Sequence, residues 1–245
     1  MAGFGQGETM KCRVVCIGVH FLRDVLESVA APQLSAYDSE SFSGETMFKS
    51  ILVLEAPWDS DSLKSKSVGP MIREFAAVRG IKAFHQTFFD KASFEHWIKA
   101  YDEEVIAGPK LLYIACHGGN GQLAGLSKHL NRTSIQTAVR AARNISFVHF
   151  GSCLFGSEKN LRELLDSAPH LRWVAGYDKE VDWVDSTLFD ILLWSRIESR
   201  DEDTHRKKTH TLASELIDQV KGLADQLGFR FQYRYGDGIW QLRAA

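Results

Sequence analysis

Five short runs of strand length, most of them apolar throughout and each followed by a segment with helical spacing, constrain this chain more than any other feature. They are Ser50 to Glu55 (SILVLE), Lys82 to Phe88, Leu111 to Cys116 (LLYIAC), Ile145 to Ser152 (ISFVHFGS) and Arg172 to Tyr177 (RWVAGY). Between them, Val68 to Arg79 places Val68, Met71, Ile72, Phe75 and Val78 at helical intervals, and Gly80 ends it. Ala92 to Tyr101 gathers Phe94, Trp97, Ile98 and Tyr101 on one side. Ser134 to Arg143, Glu158 to Ser167, Asp182 to Ile197 and Thr211 to Leu227 read as further helices. A strand that is apolar on both sides must be covered on both sides, which predicts a mostly parallel sheet between two helix layers. The end differs. Phe229 to Tyr235 and Ile239 to Leu242 flank Gly236-Asp237-Gly238, a pattern that predicts a β-hairpin adding antiparallel edge strands.

Residues 1–49 read as an extension packed on or linked to this core, and 50–245 as the core domain. Within the extension, Met1 to Met10 is Gly-rich, Cys12 to Gly18 reads as a strand, and the segment to Ala31 as a helix. Pro32 to Lys49 reads as an exposed connection, and Ser199 to His210 (SRDEDTHRKKTH) as a solvated loop. The balance of 29 Lys and Arg against 31 Asp and Glu leaves a net charge of −2 in 245 residues. Nucleic acid is therefore not expected as the main partner, because neutralising phosphates needs a surplus of cations. Four cysteines are too few for a disulfide scaffold, and Cys12 and Cys16 have no second ligand pair nearby, so no metal is expected. The longest apolar run, Val14 to Leu22, is too short for a membrane span, and Arg23 and Asp24 follow it instead of a cleavage site. The expectation is a soluble, cytoplasmic protein with reduced thiols and no cofactor.

Ligands of open parallel sheets bind beyond the carboxyl ends of the strands. Two such ends carry reactive side chains: Cys116-His117-Gly118-Gly119 after the third run, and Gly151-Ser152-Cys153 after the fourth. Consecutive βα units tend to be neighbours, and neighbouring strands lie about 4.8 Å apart. His117 and Cys153 are thus expected to meet. An imidazole beside a thiol favours the nucleophilic thiolate and can later protonate a leaving amine. A helix expected to start near Ser157 would add positive potential. The backbone N–H groups of Gly118 and Cys153 are candidate oxyanion donors, and Gly119 and Gly121 allow a bound peptide to come close to the backbone. Cys116, one residue before His117, is expected to point to the opposite strand face and belong to the core. Cys12 and Cys16 are expected in the core too, and His149, in mid-strand, reads as buried structure.

These ordered features resemble the caspase-like cysteine peptidases, a superfamily that includes caspases, metacaspases, legumain, separase and the CHAT domains. There a strand ends in His-Gly, and the next ends in a small residue followed by the nucleophilic Cys. Here the matching segments are IACHGG around His117 and HFGSC around Cys153. VAGYDKEVDWVDSTLFDILLW, Val174 to Trp194, is similar to the separase and CHAT pattern after the following strand. The resemblance implies a three-layer αβα caspase-like sandwich over 50–245 and a CHAT- or separase-type endopeptidase with a Cys153–His117 dyad. It implies that Asp178 binds a basic P1 side chain and that Asp182 supports it or caps the helix. Acidic residues are favoured in a first helical turn in any case. The caspase signature Gln-Ala-Cys-Arg/Gln-Gly is replaced by Gly151-Ser152-Cys153-Leu154-Phe155-Gly156, and Gly151 stands where metacaspases carry an Asp. Peptide or protein substrates follow from this reading. So does control by a partner protein, because a peptidase loose in a cytosol needs restraint.

Two other classes compete. A caspase-like module without catalysis would serve as a binding scaffold. A nucleotide-binding protein is faintly echoed by Gly119-Asn120-Gly121 with Gly125, but no ribose-binding acid stands at the next strand end. Walker A, HExxH and GxSxG motifs do not occur.

Overall fold

The computed structural model describes residues 47–58, 66–126, 128–198 and 208–242. The chain divides between Ser43 and Gly44, and all the described residues belong to Gly44–Ala245. The strand expected at Cys12 to Gly18, the helix to Ala31 and nearly all of the connection Pro32 to Lys49 lie outside the described residues, as does most of the charge run from Ser199.

In chain order the elements are β1 (Ser50–Glu55), α1 (Gly69–Val78), β2 (Lys82–Thr87), α2 (Lys91–Glu103), β3 (Lys110–Ala115), β4 (Gly118–Gly119), β5 (Gln122–Ala124) and β6 (His129–Asn131). There follow α3 (Arg132–Ala141), β7 (Ile145–Phe150), α4 (Glu158–Ser167), β8 (Trp173–Tyr177), α5 (Trp183–Glu198), α6 (Thr209–Gln219), α7 (Lys221–Leu227), β9 (Phe229–Tyr235) and β10 (Gly238–Leu242). The main sheet has the order β10-β9-β8-β7-β3-β1-β2. β2, β1, β3, β7 and β8 run parallel, while β9 and β10 add an antiparallel edge. This is the expected sandwich: a mostly parallel sheet, helices on both faces and a terminal hairpin.

Handedness fixes the layers. From β1 the chain steps one way to β2, then returns past β1 to β3 and continues through β7 to β8. Right-handed crossovers in opposite directions put their helices on opposite faces. One core accordingly holds Ile72 and Ala76 of α1, Phe189, Leu193 and Trp194 of α5, and Leu216 of α6, against Ile51, Val53, Leu111 and Tyr113. The other holds Phe94 and Ile98 of α2, Ile135 and Val139 of α3, and Leu161 and Leu165 of α4, against Leu52, Leu54, Leu112 and Ile114. Successive residues of β1 and β3 divide between the two cores, as the period of two requires.

Two differences from expectation have local causes. Thr211 to Leu227 is not one helix. It breaks at Val220, whose φ of −115° and ψ of 33° leave the helical region. A β-branched residue followed within two positions by Gly222 is poor helix material. The glycine-rich segment after His117 folds into the three-stranded sheet β4-β5-β6, with Gly121 at a turn at φ +81°. Strands of two and three residues are too short to show an alternation in sequence.

Candidate active site

β3 and β7 are neighbours and parallel, with Ile114 paired to Phe150. The segments that leave them therefore emerge side by side. Cys116 Sγ lies 3.5 Å from Ser152 Oγ, and both residues are fully buried. The next residue on each chain, His117 and Cys153, is exposed and half-buried respectively. Gly118 closes the approach from the other side: a Cβ built on it would stand 2.1 Å from the Cys153 carbonyl oxygen and 3.1 Å from Ser152 Cβ. The residues flanking His117 thus touch Ser152 and Cys153. Gly118 is glycine because backbone occupies the place of its side chain. Burial pushes the Cys116 thiol up to about 12, which leaves it an inert part of the core, as its position implied.

The His117 ring is held by the loop after β1. Its Nε2 lies 2.9 Å from the Trp58 carbonyl oxygen, and the two rings meet edge to face at 5.3 Å. A carbonyl oxygen can only accept, so Nε2 carries the proton, and in the neutral ring Nδ1 keeps the lone pair. Nδ1 is then the nitrogen able to receive a proton. The crevice between β1 and β3 is also where the strand order reverses, the place at which such sheets bind ligands.

Trp58 is itself anchored. Its indole Nε1 donates to Glu55 Oε1 at 2.6 Å. Glu55, the last residue of β1 and buried, also accepts from Val68 N at 3.0 Å and Ser67 Oγ at 2.7 Å, and pairs with His85 Nε2 at 2.8 Å. Burial alone would raise its pKa, but the bonds from His85, Trp58, Ser67 and Val68 together outweigh burial and hold the carboxyl below its usual range. Sequence reading missed both Glu55 and Trp58. The available signal was an acid closing an otherwise apolar strand, three residues before an aromatic at a carboxyl strand end.

Cys153 sits in a tight turn. Leu154 has φ +61°, the left-handed region, which costs a non-glycine residue on the order of 1–3 kcal/mol. Leu154 N donates to Lys179 O at 3.1 Å, which fixes the turn to the loop after β8. In that loop Val181 N–H points at Cys153 Sγ from 3.4 Å, and Val181 O lies 3.6 Å from the same sulfur. A thiolate there gains a backbone donor, and a thiol can turn its hydrogen to the carbonyl. Ser157 caps α4 by accepting from Asn160 N at 3.4 Å, so the helix begins where expected, four residues after the sulfur. Gly151 is equally constrained: a Cβ there would meet Tyr113 Oη at 2.1 Å, so the Asp of metacaspases could not occupy this position.

Of the oxyanion candidates, Gly118 stands opposite Leu123 in the β4–β5 ladder. Ala124 N donates to His117 O at 2.8 Å, which makes His117–Ala124 the hydrogen-bonded pair. By the antiparallel alternation Gly118 is then a non-hydrogen-bonded position, its N–H turned away from β5. Gly119, in the same short strand, is half-buried next to Gln122.

Of the acidic residues, Asp182 takes one of the two roles expected of it, the helix cap, while Asp178 is ion-paired within the fold. Asp178 Oδ2 forms an ion pair with Arg230 Nη2 of β9 at 2.7 Å, and its Oδ1 is buried beside Gly228 without a partner. Its charge is therefore already matched. Asp182 Oδ1 accepts from Val184 N at 2.8 Å and Asp185 N at 3.2 Å, which is the helix-cap role. Partial burial, with Asp182 nearby, raises the Asp185 pKa. Asp182 and Asp185 thus share one helix start, and Val181 next to them touches the sulfur.

His149 belongs to the core, as its mid-strand position implied. It pairs with Asp190 at 2.8 Å, both fully buried. Asp190 also accepts from Tyr113 Oη at 2.7 Å and from Tyr177 Oη. Trp194 Nε1 donates to His149 Nδ1 at 3.1 Å, so the proton of the neutral ring sits on Nε2, facing the carboxylate. Burial and the Asp190 charge push both tyrosine hydroxyls well above their usual range. Among the described residues no group of His, Cys, Asp and Glu is arranged to hold a metal ion, and no helix is long and apolar enough to cross a membrane.

No family model matches the chain, and no curated protein sequence matches it either. Among solved structures it is similar to a secreted C11 cysteine protease from Bacteroides thetaiotaomicron, determined with an irreversible peptide inhibitor. That match has a TM-score of 0.47 and 9% identity, over 76% of this chain and 66% of that one, just under two thirds of its length. The chain is also similar to caspase-1 from Spodoptera frugiperda, with a TM-score of 0.46 and 14% identity, over 77% of this chain and 82% of that one. Both neighbours are caspase-like cysteine proteases.

Proposed function

We propose that this chain is a cysteine endopeptidase in which His117 and Cys153 act as a dyad. The observation that carries the reading is the meeting of the β3 and β7 ends, with Gly118 packed on the Cys153 carbonyl and His117 Nε2 committed to Trp58 O. Nδ1 takes the thiol proton, and the sulfur attacks the peptide carbonyl. The tetrahedral oxyanion is held by the N–H groups of Gly118 and Cys153, while Gly119 lines the substrate path. The imidazolium protonates the leaving amine, and water, deprotonated by His117, hydrolyses the acyl-enzyme. Val181 N–H steadies the thiolate between turnovers.

A basic P1 residue fits this site. In this reading Asp182 and Asp185 recognise it, since they lie beside the segment that touches the sulfur and a cation between them relieves their repulsion. Asp178 contributes by holding Arg230, and with it β9, rather than by meeting the substrate. Control by a partner protein remains part of the reading, for the reason of restraint given above.

The test is hydrolysis of fluorogenic peptides with Arg, Lys or Asp at P1. Cleavage of the Arg and Lys peptides, abolished in Cys153→Ala and shifted to higher KM in Asp182→Asn/Asp185→Asn, is expected. Cleavage that persists in Cys153→Ala would refute the dyad. A folded protein that cleaves none of the peptides would favour the scaffold module.

A further inference from the structure

At the opposite ends of the strands, where the parallel strands begin, an open cavity of about 660 Å³ is lined by residues preceding β1 and β3, the starts of β7, β8 and α6, and the end of β9. Four cations line it, Lys49, Arg172, Lys208 and Arg234, and no acidic residue does among the described residues. Among those residues none of the four forms an ion pair, unusual in a chain whose net charge is −2. Four cations gathered among the described residues create a positive potential that attracts an anion.

Two further features narrow the anion. Trp173 Nε1 and Arg234 Nε, both on residues lining the cavity, are buried donors with no acceptor. These shielded N–H groups leave uncompensated positive dipoles behind that wall, which add to its attraction for an anion. The wall is also aromatic. His210 stacks on Tyr233 at 4.4 Å and 8°, and Tyr235, half exposed, carries Lys208 Nζ 4.1 Å above its ring. Flat faces beside cations suit a planar ring joined to a charged, oxygen-rich group, and the volume is that of a small-molecule site.

We propose that this cavity binds a nucleoside phosphate, its phosphates on Lys49, Arg172, Lys208 and Arg234 and its base against the His210, Tyr233 and Tyr235 rings. The site lies at the other ends of the strands from His117 and Cys153 and does not depend on the peptidase reading. Nothing in the glycine-rich segment after His117 contributes to it.

The test is titration of the full chain with ATP and with tripolyphosphate, read by calorimetry and by tryptophan fluorescence. ATP is expected to bind saturably and about tenfold more tightly than tripolyphosphate, the difference one stacked base supplies. Arg172→Glu, at an exposed position, should weaken both ligands by at least about tenfold. Tyr235→Ala, which removes a stacking ring and also releases Lys208 Nζ from the Tyr235 hydroxyl, should weaken ATP by more than it changes tripolyphosphate. Urea midpoints equal to the parent's confirm that both variants fold. Absence of saturable binding to the parent overturns the proposal, and so does binding indifferent to Arg172→Glu. Equal affinity for ATP and tripolyphosphate overturns the nucleoside part and leaves a bare polyanion site. Because the readout is binding, failure here leaves the peptidase reading intact.

Discussion

Gly118→Ala tests how closely the two strand ends must approach. The new methyl group would stand 2.1 Å from the Cys153 carbonyl oxygen, whereas real Cβ contacts essentially never fall below 3.0 Å, so the segments must part by at least 3.0 − 2.1 = 0.9 Å. The obstacle is backbone, not a side chain that can swing away. Overpacking of this kind costs about 1–3 kcal/mol of stability. A displacement near 1 Å between reacting groups can cost about 10²-fold in rate. The variant should therefore fold, with a lower urea midpoint, and lose about 10²-fold in kcat on an Arg-P1 peptide while KM changes little. Gly222→Ala is the control: nothing lies within 4 Å of its Cβ, and in α7 alanine is the better helix former by about 0.5–1 kcal/mol. Its activity should equal the parent's. A Gly118→Ala protein that turns over within twofold of the parent would refute the argument that this contact sets the dyad geometry.

Glu55→Gln keeps the size of the carboxyl and removes its charge. It should cost about 1–3 kcal/mol and lower kcat by loosening the Trp58 carbonyl that orients His117. Because the folded pKa of Glu55 lies below its unfolded value, its stabilisation is complete above the ordinary carboxylate range. That contribution is lost as pH falls through the folded value. The stability gap between parent and variant, followed by denaturation from neutral to acid pH, should accordingly close on acidification; a constant gap would show that the charge is not what matters. Asp190→Ala removes the shared acceptor of His149, Tyr113 and Tyr177 in a fully buried cluster, and should destabilise the fold by about 3–5 kcal/mol in urea. A loss below 1 kcal/mol, on the order of a single solvated hydrogen bond, would contradict that burial argument.

What was legible in the sequence follows from what sequence records. SILVLE, LLYIAC and ISFVHFGS announced buried parallel strands because both faces of each are apolar, and the structure places β1, β3 and β7 there to within two residues. The pairing of β3 with β7, which brings the segments around His117 and Cys153 side by side, could be read because consecutive βα units supply neighbouring strands. The helix starting near Ser157 could be read from the run Glu158 to Ser167, and the structure adds that Ser157 caps it. Other features were not. Trp58 acts through its backbone carbonyl and Val181 through its N–H and carbonyl, and main-chain groups carry no residue signature. The pairing of Asp178 with Arg230 joins residues 52 positions apart across an antiparallel edge whose register the sequence does not state. The small sheet β4-β5-β6 was hidden by its length, and its glycines mimicked a phosphate loop.

The most direct test of the dyad is the pH dependence of Cys153 alkylation by iodoacetamide, followed by peptide mass spectrometry in the parent and in His117→Ala. The account predicts that Cys153 in the parent is alkylated faster than free cysteine across neutral pH, and that His117→Ala slows it to the free rate. A parent Cys153 that is alkylated no faster than free cysteine, and equally fast in the variant, would contradict the claim that His117 activates this sulfur.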